Sequence, residues 1–132
     1  MPQRLPFTFS GRIVHGEKVG RTIGFPTANF DHTPNENELD TGVHLGFCHI
    51  DNKKYYCLSY FGPRFIFGEV KNCFEVYIYN FAGQLYGETL SIALTNFLRP
   101  PIKINSLEQL RQQLEEDKKT ALEFLPEQSR LQ

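Results

Sequence analysis

Hydrophobic and polar residues alternate along most of the chain. Leu90, Ile92 and Leu94 are separated by Ser91, Ala93 and Thr95, the cleanest period of two in the sequence. That spacing belongs to a strand with one buried face. Phe74, Val76 and Ile78 make one face of another strand, with Glu75, Tyr77 and Tyr79 on the other. Val43, Leu45 and Phe47 share one side of a third. Asp51-Asn52 then turns the chain, and Lys54 to Tyr60 returns as the second arm of a hairpin. Phe7 to Val14 reads as a first strand, and Gly11 within it signals a bulge or a close backbone approach. Asp31 to Thr41 carries four acids, two Asn and a Pro, the composition of a solvated loop. Ala82-Gly83 predicts a turn, and Leu98-Arg99-Pro100-Pro101 ends the last strand. Short strands separated by turns predict a small antiparallel barrel or sandwich.

One helix follows. Asn105 or Ser106 can cap it, with Glu108 or Gln109 three residues on, as in a capping box. Leu107, Leu110, Leu114 and Ala121 lie on one stripe, interrupted by Asp117. A carboxylate there sits either at the edge of the stripe, hydrogen-bonding the barrel, or inside it.

Length and composition narrow the classes. A chain of 132 residues predicts one domain that buries roughly two thirds of its unfolded surface, without disulfide staples. The net charge of -1 argues against a nucleic acid held by bulk electrostatics. Cys48, Cys57 and Cys73 are an odd number with no C-x-x-C pair, which suits a reducing compartment and offers no zinc spacing. No window reaches the ~20 apolar residues of a membrane span. We therefore expect a cytoplasmic monomer that engages neither nucleic acid nor membrane.

The candidate chemistry concentrates between Val14 and Phe30. Gly16, Gly20 and Gly24 can turn backbone N–H groups toward one concavity, a nest for phosphate. Arg12, Lys18 and Arg21 add positive charge nearby. Pro26 fixes the backbone ahead of Thr27. A threonine hydroxyl is a natural ligand for a Mg2+ that holds nucleotide phosphates, and Asn29 falls on the same side of an extended segment. The P-loop pattern G-x-x-x-x-G-K-[ST] is absent. On spacing alone, a Gly-rich hairpin leading into an ordinary strand accounts for the window slightly better. Glu75 and Arg99 likewise have bland readings, a solvated glutamate and a loop arginine.

The blocks as a set point further. Gly11-Arg12-Ile13-Val14-His15-Gly16 and Gly20-Arg21-Thr22-Ile23-Gly24-Phe25-Pro26-Thr27-Ala28-Asn29 resemble the signature of ATP-dependent riboflavin kinases. Thr41-Gly42-Val43 with Gly46, then Phe74-Glu75-Val76-Tyr77-Ile78 through Phe81, Leu85-Tyr86-Gly87, Leu98-Arg99-Pro100, and Ser106 to Leu110 with Asp117, follow in that family's order. The similarity runs over about residues 7 to 122. It implies a closed six-stranded antiparallel Greek-key barrel (strands about 7–98) with a C-terminal helix (about 106–124), all in one domain. The signature starts at residue 11, which leaves no room before it for the adenylyltransferase domain of bifunctional relatives. It implies transfer of the ATP γ-phosphate to the ribityl 5′-hydroxyl of riboflavin, giving FMN and ADP. Thr27 and Asn29 would hold Mg2+ and phosphates, with Gly16, Gly20, Arg21, Gly24 and Pro26 shaping the loop over the nucleotide. Glu75 would be the general base. Arg99 and its neighbours would belong to a flap that closes over the flavin, with Leu114 and Asp117 of the helix forming part of that wall.

The chain departs from that family in one place. Where the family shows Asn-Ile-Gly and then Pro-Thr-Phe-Gly, this chain reads Tyr60-Phe61-Gly62 and Phe65-Ile66-Phe67-Gly68. His44 replaces a frequent aromatic. These changes keep two other functions open, a non-catalytic flavin- or nucleotide-binding module and, more remotely, an oligonucleotide-binding barrel.

Overall fold

The structure, a computed structural model, describes residues 5–15, 27–65, 68 and 70–125. Six strands occur in the order β1 (Phe7–Val14), β2 (Ala28–Phe30), β3 (Gly42–Ile50), β4 (Lys53–Pro63), β5 (Asn72–Ile78) and β6 (Thr89–Arg99). The helix α1 spans Leu107–Leu122. The strands close into a barrel with neighbours β1-β2-β5-β4-β3-β6, every pair antiparallel. The predicted antiparallel barrel with one C-terminal helix is therefore observed.

Local chemistry explains the joints. Asp51 and Asn52 have φ of 52° and 67°, the left-handed pair that a tight hairpin needs and that Asp and Asn tolerate. A Cβ at Gly46 would collide with the Ala93 carbonyl oxygen, so glycine there lets β3 close against β6. Gly11 marks neither a bulge nor a close backbone approach: its pairing with Leu90 keeps the regular register, and a Cβ there would instead meet the Phe30 side chain at 2.8 Å. The turn expected at Ala82-Gly83 falls earlier. β5 ends at Ile78, and the chain reverses at Tyr79-Asn80, where Asn80 takes φ 58°. Ala82-Gly83 lies within the connection to β6.

The apolar residues form two clusters. Phe9, Phe30, Phe61, Phe74, Val76, Ile92 and Leu94 fill the barrel. Phe74 meets Phe9 and Phe30 edge-on at 4.8 and 5.1 Å, the arrangement aromatic quadrupoles prefer. Val43, Leu45, Leu58 and Tyr79 form the second cluster outside the barrel, closed by Ala121 and Leu125. Both faces of β3 are thus buried, which its sequence pattern did not announce.

Ser106 caps α1 and accepts from the Gln109 backbone N–H at 3.1 Å, while the Gln109 side chain accepts from Asn105 N–H at 3.0 Å. The predicted stripe docks through its later turns. Asp117 and Ala121 are buried, but Leu107 remains 45% exposed.

Candidate active site

β2 carries only three residues, yet it places the site. Its Phe30 is buried in the barrel and Ala28 packs on the same inner cluster, so Asn29 between them points outward. Phe74 and Val76 are inner residues of β5, so Glu75 also points outward. Asn29 and Glu75 are direct partners across the β2–β5 ladder. Direct partners hold their Cβ atoms about 4.5–5.5 Å apart. Thr27 immediately precedes β2 and is half-buried. An amide and a carboxylate thus meet on one outer patch, with a hydroxyl residue two positions before the amide. Gly16, Gly20, Arg21, Gly24 and Pro26 lie outside the described residues.

The row continues beyond Glu75. Tyr60 on β4 is the direct partner of Glu75, Val43 is the partner of Tyr60, and Arg99 is the partner of Val43. The Tyr60 hydroxyl donates to the Pro63 carbonyl at 2.6 Å. Burial pushes its ionisation up, assisted by Cys73 and Glu75 and opposed by Arg99. Cys73 Sγ lies 4.0 Å from Glu75 Oε2. Neither Tyr60 nor Cys73 was expected beside Glu75. The only signal for Tyr60 was that it departs from the related pattern.

Arg99 is held as a fork. Its Nε and Nη2 each donate at 2.7 Å to the two carboxylate oxygens of Asp117, and Nη1 donates to the Pro100 carbonyl at 3.0 Å. Gln113 donates to the same Asp117 at 3.0 Å. Asp117 therefore lies inside the helix stripe and bonds the barrel, reaching the outer patch through Arg99. Leu114, one turn earlier, is half-buried.

The donor set bears on a metal. Among the described residues no three His, Cys, Asp or Glu gather into a cation cage. Thr27 and Asn29 offer neutral hard oxygens, which suit a Mg2+ that keeps most of its coordination for water and phosphate. A cavity of about 410 Å³ opens elsewhere, between Lys54, Tyr56, Tyr79, Asn80 and Leu122. No carboxylate lines it, whereas the Asn29–Glu75 row carries one.

Comparison with known proteins gives the family. The Flavokinase family model, described as riboflavin kinase, matches residues 3–125. The chain belongs to the riboflavin kinase family. The bifunctional riboflavin kinase/FMN adenylyltransferase of Listeria monocytogenes is 36% identical over 122 residues, covering 90% of this chain and 38% of the relative. The Escherichia coli K12 protein of the same name is 32% identical over 119 residues, again 90% and 38%. The trifunctional protein RibF/MnmA of Mycoplasmoides gallisepticum is 34% identical over 95% of this chain and 19% of its own length. A solved structure of a macrolide-efflux protein from Streptococcus pneumoniae shares 32% identity with a TM-score of 0.75, over 91% of this chain and 40% of that one. The chain thus spans well under half the length of these relatives. As a riboflavin kinase family member it carries the barrel, the Pro-Thr-Ala-Asn segment and the glutamate strand together.

Proposed function

We propose that this chain is an ATP:riboflavin 5′-phosphotransferase, and that Thr27, Asn29 and Glu75 carry the reaction. The observation that supports this most directly is the pairing of Asn29 with Glu75 across β2 and β5. Phosphoryl transfer asks the protein mainly for positioning and charge neutralisation. Thr27 and Asn29 hold the phosphate end of ATP. A Mg2+ bound there would neutralise phosphate charge. Glu75 accepts the proton of the ribityl 5′-hydroxyl as that oxygen bonds to the γ-phosphorus. The bond from that phosphorus to the β,γ-bridging oxygen breaks, and ADP leaves with the electron pair. Arg99, fixed by Asp117, belongs to the flavin side of the same row, with Leu114 in the helix wall beyond it.

The departures at Tyr60 and Phe65 favour one other reading, a barrel that binds flavin without turning it over. Riboflavin, ATP and Mg2+ mixed with the protein and separated by chromatography decide between them. FMN that forms with the protein, and stops forming when the metal is chelated, supports the kinase. Quenched riboflavin fluorescence without FMN supports the binding module. No helix among the described residues is long and apolar enough to cross a membrane. Cys48, Cys57 and Cys73 form no disulfide, which suits action in a reducing compartment such as the cytoplasm, and we take the chain to act as a monomer.

A further inference from the structure

Glu75 has a different neighbour on each side. Asn29 flanks it on β2 and Tyr60 flanks it on β4. In the proposed reaction the donor phosphates are anchored from the β2 side. In-line transfer puts the entering alcohol opposite the leaving oxygen. With the donor on one flank of the base, the alcohol approaches over the other, which is the flank of Tyr60.

Two contacts define what Tyr60 presents there. Its hydroxyl is committed to the Pro63 carbonyl at 2.6 Å. A Cβ on Gly62 would lie 2.9 Å from the Tyr60 hydroxyl oxygen and 3.3 Å from Pro101 Cγ. The far end of the side chain therefore shares its space with the segment that follows Arg99, and the ring spans the interval from Glu75 to that segment. The ring itself is half-buried, packed at the margin of the outer cluster.

We propose that Tyr60 is a specificity-determining residue for the acceptor, its ring packing against the carbon skeleton directly behind the reacting hydroxyl. The class of acceptor it fits is an alcohol on a flexible chain attached to a planar apolar ring system. With its one polar atom already bonded to Pro63, Tyr60 presents an apolar ring face, so shape and apolar contact select the acceptor. The inference rests on the kinase reading for the direction of approach.

The test is a set of Tyr60 variants of the whole chain, read by riboflavin fluorescence titration and by steady-state turnover with each substrate varied. Tyr60→Ala is expected to weaken riboflavin, in both dissociation constant and KM, by about 10-fold, while the KM for ATP moves by less than about twofold. Tyr60→Phe is expected to keep both within about twofold, because the ring remains. Equal weakening of both substrates, unchanged riboflavin affinity in Tyr60→Ala, or a Tyr60→Phe as weak as Tyr60→Ala each overturns the proposal. If Tyr60→Ala does not fold, Tyr60→Leu, which also lacks the ring, is read in the same way. A wild type that binds riboflavin with this Tyr60 dependence but makes no FMN keeps the wall and refutes the kinase. A wild type that makes FMN, with variants that all bind riboflavin equally, refutes the wall alone. A wild type that neither binds riboflavin nor makes FMN refutes both.

Discussion

Two adjacent rows cross the same three strands. Ala28, Val76 and Ser59 pair along one, and Asn29, Glu75 and Tyr60 along the next. The first faces the barrel interior, where Val76 is 1% exposed and Ser59 is buried, and it runs on to His44. The second faces outward, where every member is half-buried. One step along each strand separates residues that hold the barrel closed from the residues we propose for the chemistry. The strand period of two is what lets stability and function be altered separately in so small a domain.

That division can be attacked from the inner side first. Phe74→Ala removes the ring that Phe9 and Phe30 pack against, and should lower stability to denaturant by about 3–5 kcal/mol. Although Phe74 adjoins Glu75, its side chain faces inward, so any variant protein that remains folded should still bind flavin. Lost binding in a folded variant would mean that the two rows are not separable.

The next effect is on acid stability. Burial holds His44 neutral and lowers its pKa from 6.5 to about 4, against the opposing pull of Asp40 and a Gly42 backbone hydrogen bond. The unfolded chain takes up this proton near pH 6.5, the folded one only near pH 4. Stability from a neutral His44 is therefore complete above about pH 6.5, falls as pH drops toward about 4, and stays lost below that. The loss over that window is on the order of 3 kcal/mol. His44→Phe, which retains a ring beside Phe97, should show a shallower fall over the same window. Urea midpoints at several pH values compare the two slopes directly.

A smaller effect tests the roof of the outer face. Ser106→Ala removes the oxygen that accepts from Gln109 N–H and should cost about 1 kcal/mol. Thermal unfolding reads it. A loss several times larger would mean that α1 depends on its cap more than on Asp117 and Ala121.

How much of this was readable beforehand follows from which interactions are local. β1, β5 and β6 were legible because each buries one face and alternates cleanly. The Asp51-Asn52 hairpin was legible because those residue types tolerate the backbone a tight turn needs. β3 hid its geometry, since His44 and Cys48 face the barrel while Val43 and Leu45 face the helix, and a strand buried on both sides has no polar phase. The reversal at Asn80 was missed because Ala82-Gly83 offers the stronger local turn signal. For the site, the outward direction of Glu75 could be read from its two neighbours. Its opposition to Asn29 could not, because register between strands 46 residues apart in sequence is set by the closed barrel. The Arg99–Asp117 fork was hidden for the same reason, and so was the place of Tyr60 beside Glu75.

We propose above all that Glu75, set opposite Asn29 on the outer row, takes a proton from an alcohol. The measurement that tests it most directly is the turnover of Glu75→Gln with riboflavin, ATP and Mg2+, alongside its flavin affinity and melting temperature. The account predicts turnover lower by about 100-fold or more, with affinity and melting temperature near those of the wild type. Turnover equal to the wild type, or a loss that follows unfolding, would contradict it.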